Sequence, residues 1–363
     1  MKINTNPFKV LSIDGGGMRG LYSASFIQGL IKLTSKRFNT DLADFGKEFD
    51  LIVGTSTGAI LGCGLAYGLP SREIVSLYTN IGNKIFPRPL PKSKLQLFLQ
   101  NRRKLNEQGN KALKQALQNA FGNETLASVY NRRRIGLAIP SVNFTTHKAW
   151  VFKTPHDPTS SRRDNEYLLI DVCLASSAAP VYRSLAAIKQ PGNTSTKDMF
   201  VDGGLWANNP ILVALIEAMR VASSQQSIQI FSLGTSAAPN GSVHNPDKPH
   251  WGITEWEFGA KAVGLSMDAQ TGVAQEMANM LAKTIERDIQ IVRFPEPSIP
   301  RGHAKLLSLD STSEQACNLL QQLASTAVDE TNQLINANSP DGQLISQLLG
   351  NNTSKNKLGE SYV

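Results

Sequence analysis

The stretch FDLIVGTSTGAILG, residues 49–62, changes character at its centre. Its first five residues are mainly apolar and predict a short strand, and the small and apolar residues after Gly58 predict a helix. Between them, residues 54–58 read G-T-S-T-G, which has the form G-x-S-x-G. A sharp turn from strand to helix would hold Ser56 in a strained conformation with its hydroxyl at the carboxyl edge of a sheet. The stretch therefore predicts an α/β fold with a candidate nucleophile at Ser56.

The alternation of strand and helix patterns extends along most of the chain. Apolar runs of strand length occur at residues 10–13, 227–233 and 288–294, and helical patterns occur at residues 21–37, 57–67 and 210–224. Two further runs, residues 135–144 and 148–154, are separated by a polar turn and predict a hairpin at the side of the sheet. The alternation predicts a mostly parallel central sheet with helices on both faces.

Length and composition are those of a globular protein, with 363 residues of which 41% are hydrophobic. The three cysteines lack C-x-x-C spacing, which argues against a disulfide framework and against a zinc site. The N-terminal residues MKINTNPFKV contain no apolar segment of the kind found in secretory signals, so we expect a cytoplasmic protein. The uncharged residues 51–71 approach the length of a membrane span, but their glycines and Pro70 favour a buried strand, turn and helix.

The net charge of +8 is distributed unevenly. Residues 84–134 contain twelve Lys or Arg and two acidic residues, which gives this segment a charge of +10. Its helical pattern is interrupted at residues 87–91, PRPLP, and the segment has the character of an insertion. A concentrated basic field attracts phospholipid head groups, nucleic acid or phosphorylated ligands, whereas a solvated helix face that keeps the protein soluble explains the charge equally well.

A nucleophilic serine needs a base, and the histidines offer no obvious one. All five follow Ser56 and lie in predicted turns or loops, where we expect them at the surface: His147, His156, His244, His250 and His303. Asp202 differs from them, because it follows the short strand MFV and precedes two glycines and a helix that begins near Pro210. A carboxylate at the edge of the sheet can accept the serine proton directly if the two oxygens are about 2.6–3.2 Å apart. We therefore predict a dyad of Ser56 and Asp202.

A glycine-rich loop follows the first predicted strand, in KVLSIDGGGMRGLY, residues 9–22. From Gly15 onward it matches G-x-G-x-x-G, the fingerprint of a dinucleotide-binding loop. Such a site needs an acid at the end of a second strand about 20 residues further on, whereas Asp41 and Asp44 precede the next strand. The loop suits an oxyanion hole better, since bare backbone N–H groups can face a transient negative oxygen. A nucleotide-binding protein that uses this loop remains the alternative.

Taken together, three motifs resemble those of the patatin-like phospholipases. The family signature D-G-G-G-x-[RK]-G is matched by Asp14–Gly20, G-x-S-x-G by Gly54–Gly58, and D-G-[GA] by Asp202–Gly204. The likeness covers about residues 8–236 and departs from the family after Tyr182. There Arg183 and Ser184 stand where an aromatic residue and a proline are often seen, and this departure affects the expected shape of the acyl pocket.

The resemblance implies a three-layer α/β/α sandwich and calcium-independent hydrolysis of acyl esters in phospholipids, with no metal or other cofactor. It implies Ser56 as the nucleophile and Asp202 as the base. The implied donors to the oxyanion are the N–H groups of Gly15, Gly16, Gly17, Met18 and Thr57. Arg19 would order the loop or contact a phosphate. We expect residues 1–300 to form the catalytic domain, with a basic helical insertion at about 82–134, and residues 301–363 to form a helical extension with a frayed tail.

A looser likeness, in overall length, in the region beyond residue 240 and in the phrase DGGLWANNP, is to a bacterial branch of antiphage effectors. Members of this branch are activated by cyclic dinucleotides. The likeness implies a cytoplasmic homo-oligomer that attacks the inner leaflet of the membrane once the nucleotide binds, with no nucleic-acid polymer as a partner. A lipid acyl hydrolase without nucleotide control and an acyltransferase both remain open.

Overall fold

A computed structural model of the chain describes residues 6–39, 42, 44–87, 101–236, 247, 249–299 and 301–350. In these residues one sheet is formed by the strands β1 (Phe8–Ile13), β2 (Leu51–Gly54), β3 (Gly136–Asn143), β4 (Lys148–Lys153), β5 (Ala186–Gln190), β6 (Asn193–Asp202), β7 (Ile228–Leu233) and β8 (Ile289–Arg293). Their order is β5-β6-β3-β2-β1-β7-β8, and β4 pairs with β3 outside this path.

Helices connect and cover these strands. In chain order they are α1 (Gly20–Phe38), α2 (Thr57–Tyr67), α3 (Ser71–Ile85), α4 (Arg102–Phe121), α5 (Leu126–Arg133), α6 (Leu169–Ser176), α7 (Gly204–Ala207), α8 (Ile211–Val221), α9 (Ala260–Thr284), α10 (Glu314–Asn336) and α11 (Pro340–Gly350). Short 3-10 turns lie at Gly17–Arg19, Phe45–Glu48, Glu257–Gly259 and Arg301–Leu307. The break expected at residues 87–91 and the frayed tail lie largely or wholly outside the described residues.

The sheet is mostly parallel, as the sequence predicts. Strands β3, β2, β1, β7 and β8 run in the same direction, and β3 and β4 form the expected hairpin. Strand β6 is antiparallel to β3 and pairs only with the last three residues of β3, residues 141–143. Asp202 therefore lies opposite Ser141. Because β3 is paired with β2 only as far as Ala138, residues 141–143 of β3 extend past the end of β2. The extension brings the end of β6 level with the turn that follows β2.

Two apolar layers cover the sheet because neighbouring residues of each strand face opposite sides. Leu11, Ile13 and Ile52 belong to the larger core, to which α1, α2 and α6 contribute. Val10 and Val53 belong to a smaller core beneath α8 and α9. Helices on both faces of a central sheet make a three-layer α/β/α sandwich, and the predicted fold class is confirmed.

The C-terminal helices share the larger core with the sheet. Leu320, Leu323 and Ala327 of α10, and Ile345 and Leu348 of α11, are buried in the same cluster as Leu11 of β1. In the basic segment, Leu113, Leu117 and Phe121 of α4 also enter this cluster. The domain boundaries expected from the sequence stay predictions, and within the described residues these helices pack against the same core as the sheet.

Gly58 fixes the distance between the turn after β2 and the end of β1. A Cβ atom added at Gly58 would lie 2.4 Å from the carbonyl oxygen of Ile13 and 2.6 Å from that of Asp14. Both neighbours are backbone atoms, so a side chain can be accommodated only if the first turn of α2 moves away from β1.

We expect Gly58→Ala to lower the free energy of unfolding by about 1–3 kcal/mol, the usual cost of overpacking. The matched control is Gly264→Ala in α9, where an added Cβ would have no neighbour within 4 Å. That change should be neutral or stabilise by up to about 1 kcal/mol, because alanine is the better helix former. Urea unfolding followed by circular dichroism measures both effects. Equal midpoints for the two variants would contradict the close approach of α2 and β1.

Candidate active site

Ser56 lies in the turn between the last residue of β2, Gly54, and the first residue of α2, Thr57. Its backbone has φ 56° and ψ −116°, a region that residues with side chains rarely adopt. The N–H of Ser56 donates to Ser176 Oγ at 2.9 Å. The strained turn expected from G-x-S-x-G is thus present, and a hydrogen bond from another helix holds it.

The Ser56 hydroxyl donates to a carboxylate on a different strand. Ser56 Oγ lies 2.7 Å from Asp202 Oδ2, and the other oxygen, Oδ1, accepts the Gly204 N–H at 2.7 Å. Asp202 is fully buried, and burial raises the pKa of its carboxyl to about 6. The hydrogen bonds from Gly204 and Ser56 and the charge of Arg183 act in the opposite direction. A carboxylate with this pKa accepts a proton more readily than an exposed aspartate and is still ionised at neutral pH.

The end of α6 holds Ser56 and Asp202 in place together. Ser176 Oγ accepts from the Ser56 N–H and donates to the Pro140 carbonyl at 2.7 Å. The carbonyls of Ser176 and Ala178 accept the N–H groups of Gly203 and Asp202, at 3.2 and 3.1 Å. Sequence analysis did not identify Ser176 as a positioning residue. Its partners lie on three other elements, so the local sequence contains little sign of the role.

The glycine-rich loop lies beside the dyad, with Gly16, Gly17 and Met18 in the wall of the same cavity. Two of the expected donors are already used: the Gly15 N–H bonds to the Asn208 carbonyl at 2.9 Å, and the Met18 N–H to the Leu309 carbonyl at 2.8 Å. The expectation that these two amides face the oxyanion is therefore not met in this structure. No acceptor among the described residues is bonded to the N–H groups of Gly16, Gly17 or Thr57. These three amides are the remaining candidates.

Arg19 does not line the cavity that contains Ser56. Together with Asp14, Asn208, Thr235 and Arg293 it lines a second, polar cavity of about 320 Å³. Arg19 Nη2 is 3.9 Å from Asp268 Oδ1, and Arg293 Nη2 is 2.7 Å from Asp14 Oδ2. Burial raises the pKa of Asp14 to about 6, while Arg293 acts to lower it. Ordering of the loop and contact with a phosphate, the two roles expected for Arg19, both stay predictions.

The cavity that contains Ser56 and Asp202 has a volume of about 580 Å³ and is largely apolar. Its apolar lining is contributed mainly by Ile60, Ile85, Phe86, Leu113, Met267 and Leu309. Near the dyad the wall also contains Tyr78, Tyr182 and Arg183. An apolar cleft with a few convergent polar groups is suited to an acyl chain that ends in an ester.

The expected surface position holds for three histidines and is wrong for a fourth. His147, His250 and His303 are exposed, and His244 lies outside the described residues. His156 is buried. Thr154 Oγ1 lies 2.7 Å from its Nδ1, and Glu217 Oε2 lies 3.5 Å from its Nε2. Glu217 belongs to α8, a contact that the sequence near His156 does not reveal.

His156 is nevertheless at the wrong edge of the sheet to serve Ser56. A Cβ atom added at Gly136 would lie 3.0 Å from His156 Cγ. Gly136 pairs with Leu51 at the beginning of β2, whereas Ser56 follows the end of that strand. The imidazole and the nucleophile are thus at opposite ends of β2.

The described residues contain neither a metal-binding cluster nor a membrane-spanning helix. No group of three or more His, Cys, Asp or Glu side chains there is arranged to hold a metal ion. No helix in the described ranges is both long and apolar enough to cross a bilayer.

Comparisons with known proteins agree on one family. The model of the patatin-like phospholipase family matches residues 11–215. A cGAMP-activated phospholipase of Vibrio cholerae is 30% identical over 331 residues, 87% of this chain and 88% of the relative. One from Escherichia coli is 30% identical over 341 residues, 90% of this chain and 92% of the relative. Calcium-independent phospholipase A2-gamma of the rabbit, Oryctolagus cuniculus, is 31% identical over 232 residues, 62% of this chain and 28% of the relative.

We expect Ser176→Ala to lower kcat for a p-nitrophenyl ester roughly 10-fold or more with little change in KM. The variant leaves a buried N–H of the strained turn without its acceptor, a loss that typically costs about 1–3 kcal/mol. The control is Thr331→Ala, which removes another buried hydroxyl, one that bonds only within α10. Both variants should lose some stability in urea unfolding, and only Ser176→Ala should lose kcat. If kcat survives in Ser176→Ala while stability falls, the hydroxyl has a merely structural role.

Proposed function

The chain belongs to the patatin-like phospholipase family, and from this premise we propose that it hydrolyses acyl esters of membrane phospholipids with Ser56 as nucleophile and Asp202 as general base. The observation that carries the proposal is the 2.7 Å hydrogen bond between Ser56 Oγ and Asp202 Oδ2 inside an apolar cavity. The two groups are within the distance that direct proton transfer requires.

In the first half of the proposed reaction the acyl chain lies in the apolar part of the cavity. Ser56 Oγ attacks the ester carbonyl carbon, and Asp202 Oδ2 takes the serine proton. The carbonyl oxygen becomes an oxyanion, which the free N–H groups of Gly16, Gly17 and Thr57 stabilise. When the tetrahedral intermediate collapses, Asp202 returns the proton to the departing oxygen, and a lysophospholipid leaves the acyl-enzyme.

In the second half, water takes the place of the lysophospholipid. Asp202 accepts a proton from this water as its oxygen attacks the acyl carbon, and the same amides hold the second oxyanion. Collapse breaks the bond to Ser56 Oγ and returns the proton from Asp202 to the serine. The products are a free fatty acid and the original enzyme, so that every proton is accounted for by Ser56, Asp202 and water. We propose that calcium is not required, as the name of the rabbit relative says of that protein.

We further propose that a cyclic dinucleotide activates the enzyme. The support is the similarity to two bacterial proteins that are named as cGAMP-activated phospholipases and match 87% and 90% of this chain. Because the similarity extends well beyond the catalytic motifs, cGAMP is the first activator to try. The proposal includes a cytoplasmic homo-oligomer that acts on the inner leaflet of the membrane.

The reaction and its activation by cGAMP are tested together by fatty acid release from phospholipid vesicles, with and without cGAMP and with a calcium chelator. We expect cGAMP to stimulate release and the chelator to leave it unchanged. Ser56→Ala should reduce release to background, and Asp202→Asn should reduce it at least 100-fold, the lower range for a general base. His250→Ala and His303→Ala are the controls, since both side chains are exposed. Full activity of folded Ser56→Ala protein would refute the mechanism.

The pH dependence follows from the state of Asp202. Burial raises the pKa of this carboxyl to about 6, and the base is active only when ionised. We therefore expect kcat to rise through an apparent pKa near 6 and to fall about tenfold for each pH unit below it. The profile is obtained from fatty acid release, measured by mass spectrometry between about pH 4 and about pH 8, roughly two pH units on either side of this pKa. A profile that is flat through pH 6 would contradict the assignment of the base.

A further inference from the structure

Arg183 places a buried cation in the wall of the cavity that contains Ser56 and Asp202. Its residue surface is only 9% exposed, and its backbone N–H is fixed by the Ala179 carbonyl at 2.9 Å. Arg183 Nη2 donates to Asn110 Oδ1 at 2.8 Å. Its Nε is buried and has no hydrogen-bond partner within the described part of the chain. One edge of the guanidinium is therefore anchored by α4, while the Nε donor remains unused.

Among the described residues, no ion pair neutralises the positive charge of Arg183. No described carboxylate forms a salt bridge with it, whereas Arg19 and Arg293 each have an acidic partner. Burial lowers the pKa of Arg183 to about 10, with the charge of Asp202 acting to raise it, and the group stays protonated at neutral pH. Asp202 itself is already bonded to Ser56 and Gly204. A buried cation with an unused donor is costly, and an incoming anion would remove that cost.

The rest of the cavity determines what kind of anion fits. Arg183 is the one cationic residue among the described residues that line it, and most of the remaining lining is aliphatic or aromatic. A ligand that suits this wall has an apolar chain and an anionic group a short distance from its ester. The guanidinium fork is well matched to phosphate oxygens. Arg19 does not compete for this role because it lines the polar cavity instead.

We propose that Arg183 binds the phosphate of a glycerophospholipid while Ser56 attacks the ester, and that it thereby makes the enzyme selective for phospholipids over neutral acylglycerols. The inference rests on the proposed function and names the substrate class of the same site. Arg183 acts as a specificity-determining residue, whereas Ser56 and Asp202 perform the chemistry.

A second effect of Arg183 has to be separated from phosphate binding. Its charge lowers the pKa of Asp202, so any substitution alters the base as well. That effect is the same for every ester, since all esters use the same base. It therefore cancels in the ratio of two kcat/KM values measured above the titration of Asp202.

The test compares dioleoyl phosphatidylglycerol with dioleoylglycerol, which has the same acyl chains and no phosphate, in the same mixed micelles at pH 8 with cGAMP. We expect Arg183→Gln to lower the ratio of kcat/KM for phospholipid over diacylglycerol by roughly 10- to 100-fold, the range for hydrogen bonds to charged groups. Arg183→Lys keeps the charge without the fork and should give a smaller but measurable loss. Dioleoyl phosphatidic acid should behave like phosphatidylglycerol, because the phosphate and not the glycerol head group is recognised.

The matched control is Arg220→Gln, which removes an arginine paired with Asp157 through a 2.6 Å contact outside the cavity. Its ratio should equal that of the unmodified protein. Should Arg183→Gln be poorly folded by circular dichroism, Arg183→Lys decides the question. A ratio unchanged within about twofold in the folded Arg183 variants would overturn the inference, even if both activities fall. It would equally be overturned if the ratio holds and only the concentration of cGAMP needed for activation rises. Failure of the unmodified protein to hydrolyse either lipid would instead refute the proposed function.

Discussion

The hydrogen bond between Ser56 and Asp202 constrains the rest of the structure. In this pair no imidazole spans the gap between Ser56 and Asp202. Ser56 Oγ, in the turn after β2, and Asp202 Oδ2, at the end of β6, must therefore be held 2.7 Å apart directly. Strand β6 reaches the turn after β2 only because β3 is longer than β2 and offers it a place to pair. The end of α6 then bonds to the backbone on both sides of the dyad. A small shift of any of these elements would lengthen the bond between Ser56 and Asp202.

The site also contains two buried carboxylates. Asp14 and Asp202 lie on the two sides of the glycine-rich loop, and burial raises the pKa of both. Asp14 is paired with Arg293, and its environment is the polar cavity. Asp202 faces the apolar cavity and bonds to neutral donors, with only Arg183 to influence it by charge. The pKa of each carboxyl is about 6, so the difference between them lies in their partners: Asp14 bonds to Arg293, whereas Asp202 bonds to the hydroxyl of Ser56.

The sequence predicted best what depends on neighbouring residues. The turn at Ser56, the end of a strand at Asp202 and the mostly parallel sheet follow from local patterns of apolar residues and glycines. It predicted less well what depends on partners far along the chain. The amides of Gly15 and Met18 are bonded to Asn208 and Leu309, and His156 is buried against Glu217. The role of Ser176 was missed for the same reason, since its partners Ser56 and Pro140 belong to other elements.

The bond from the Met18 N–H to the Leu309 carbonyl has a consequence for the order in which the molecule is completed. Synthesis proceeds from the amino terminus, and earlier parts of a chain emerge from the ribosome first. Ser56 and Asp202 are both made long before residue 309. Until that residue has been added, the glycine-rich loop lacks this anchor, although the Asn208 carbonyl that accepts the Gly15 N–H is already present. The position of the glycine-rich loop in the folded chain thus depends on a residue that is made after both Ser56 and Asp202.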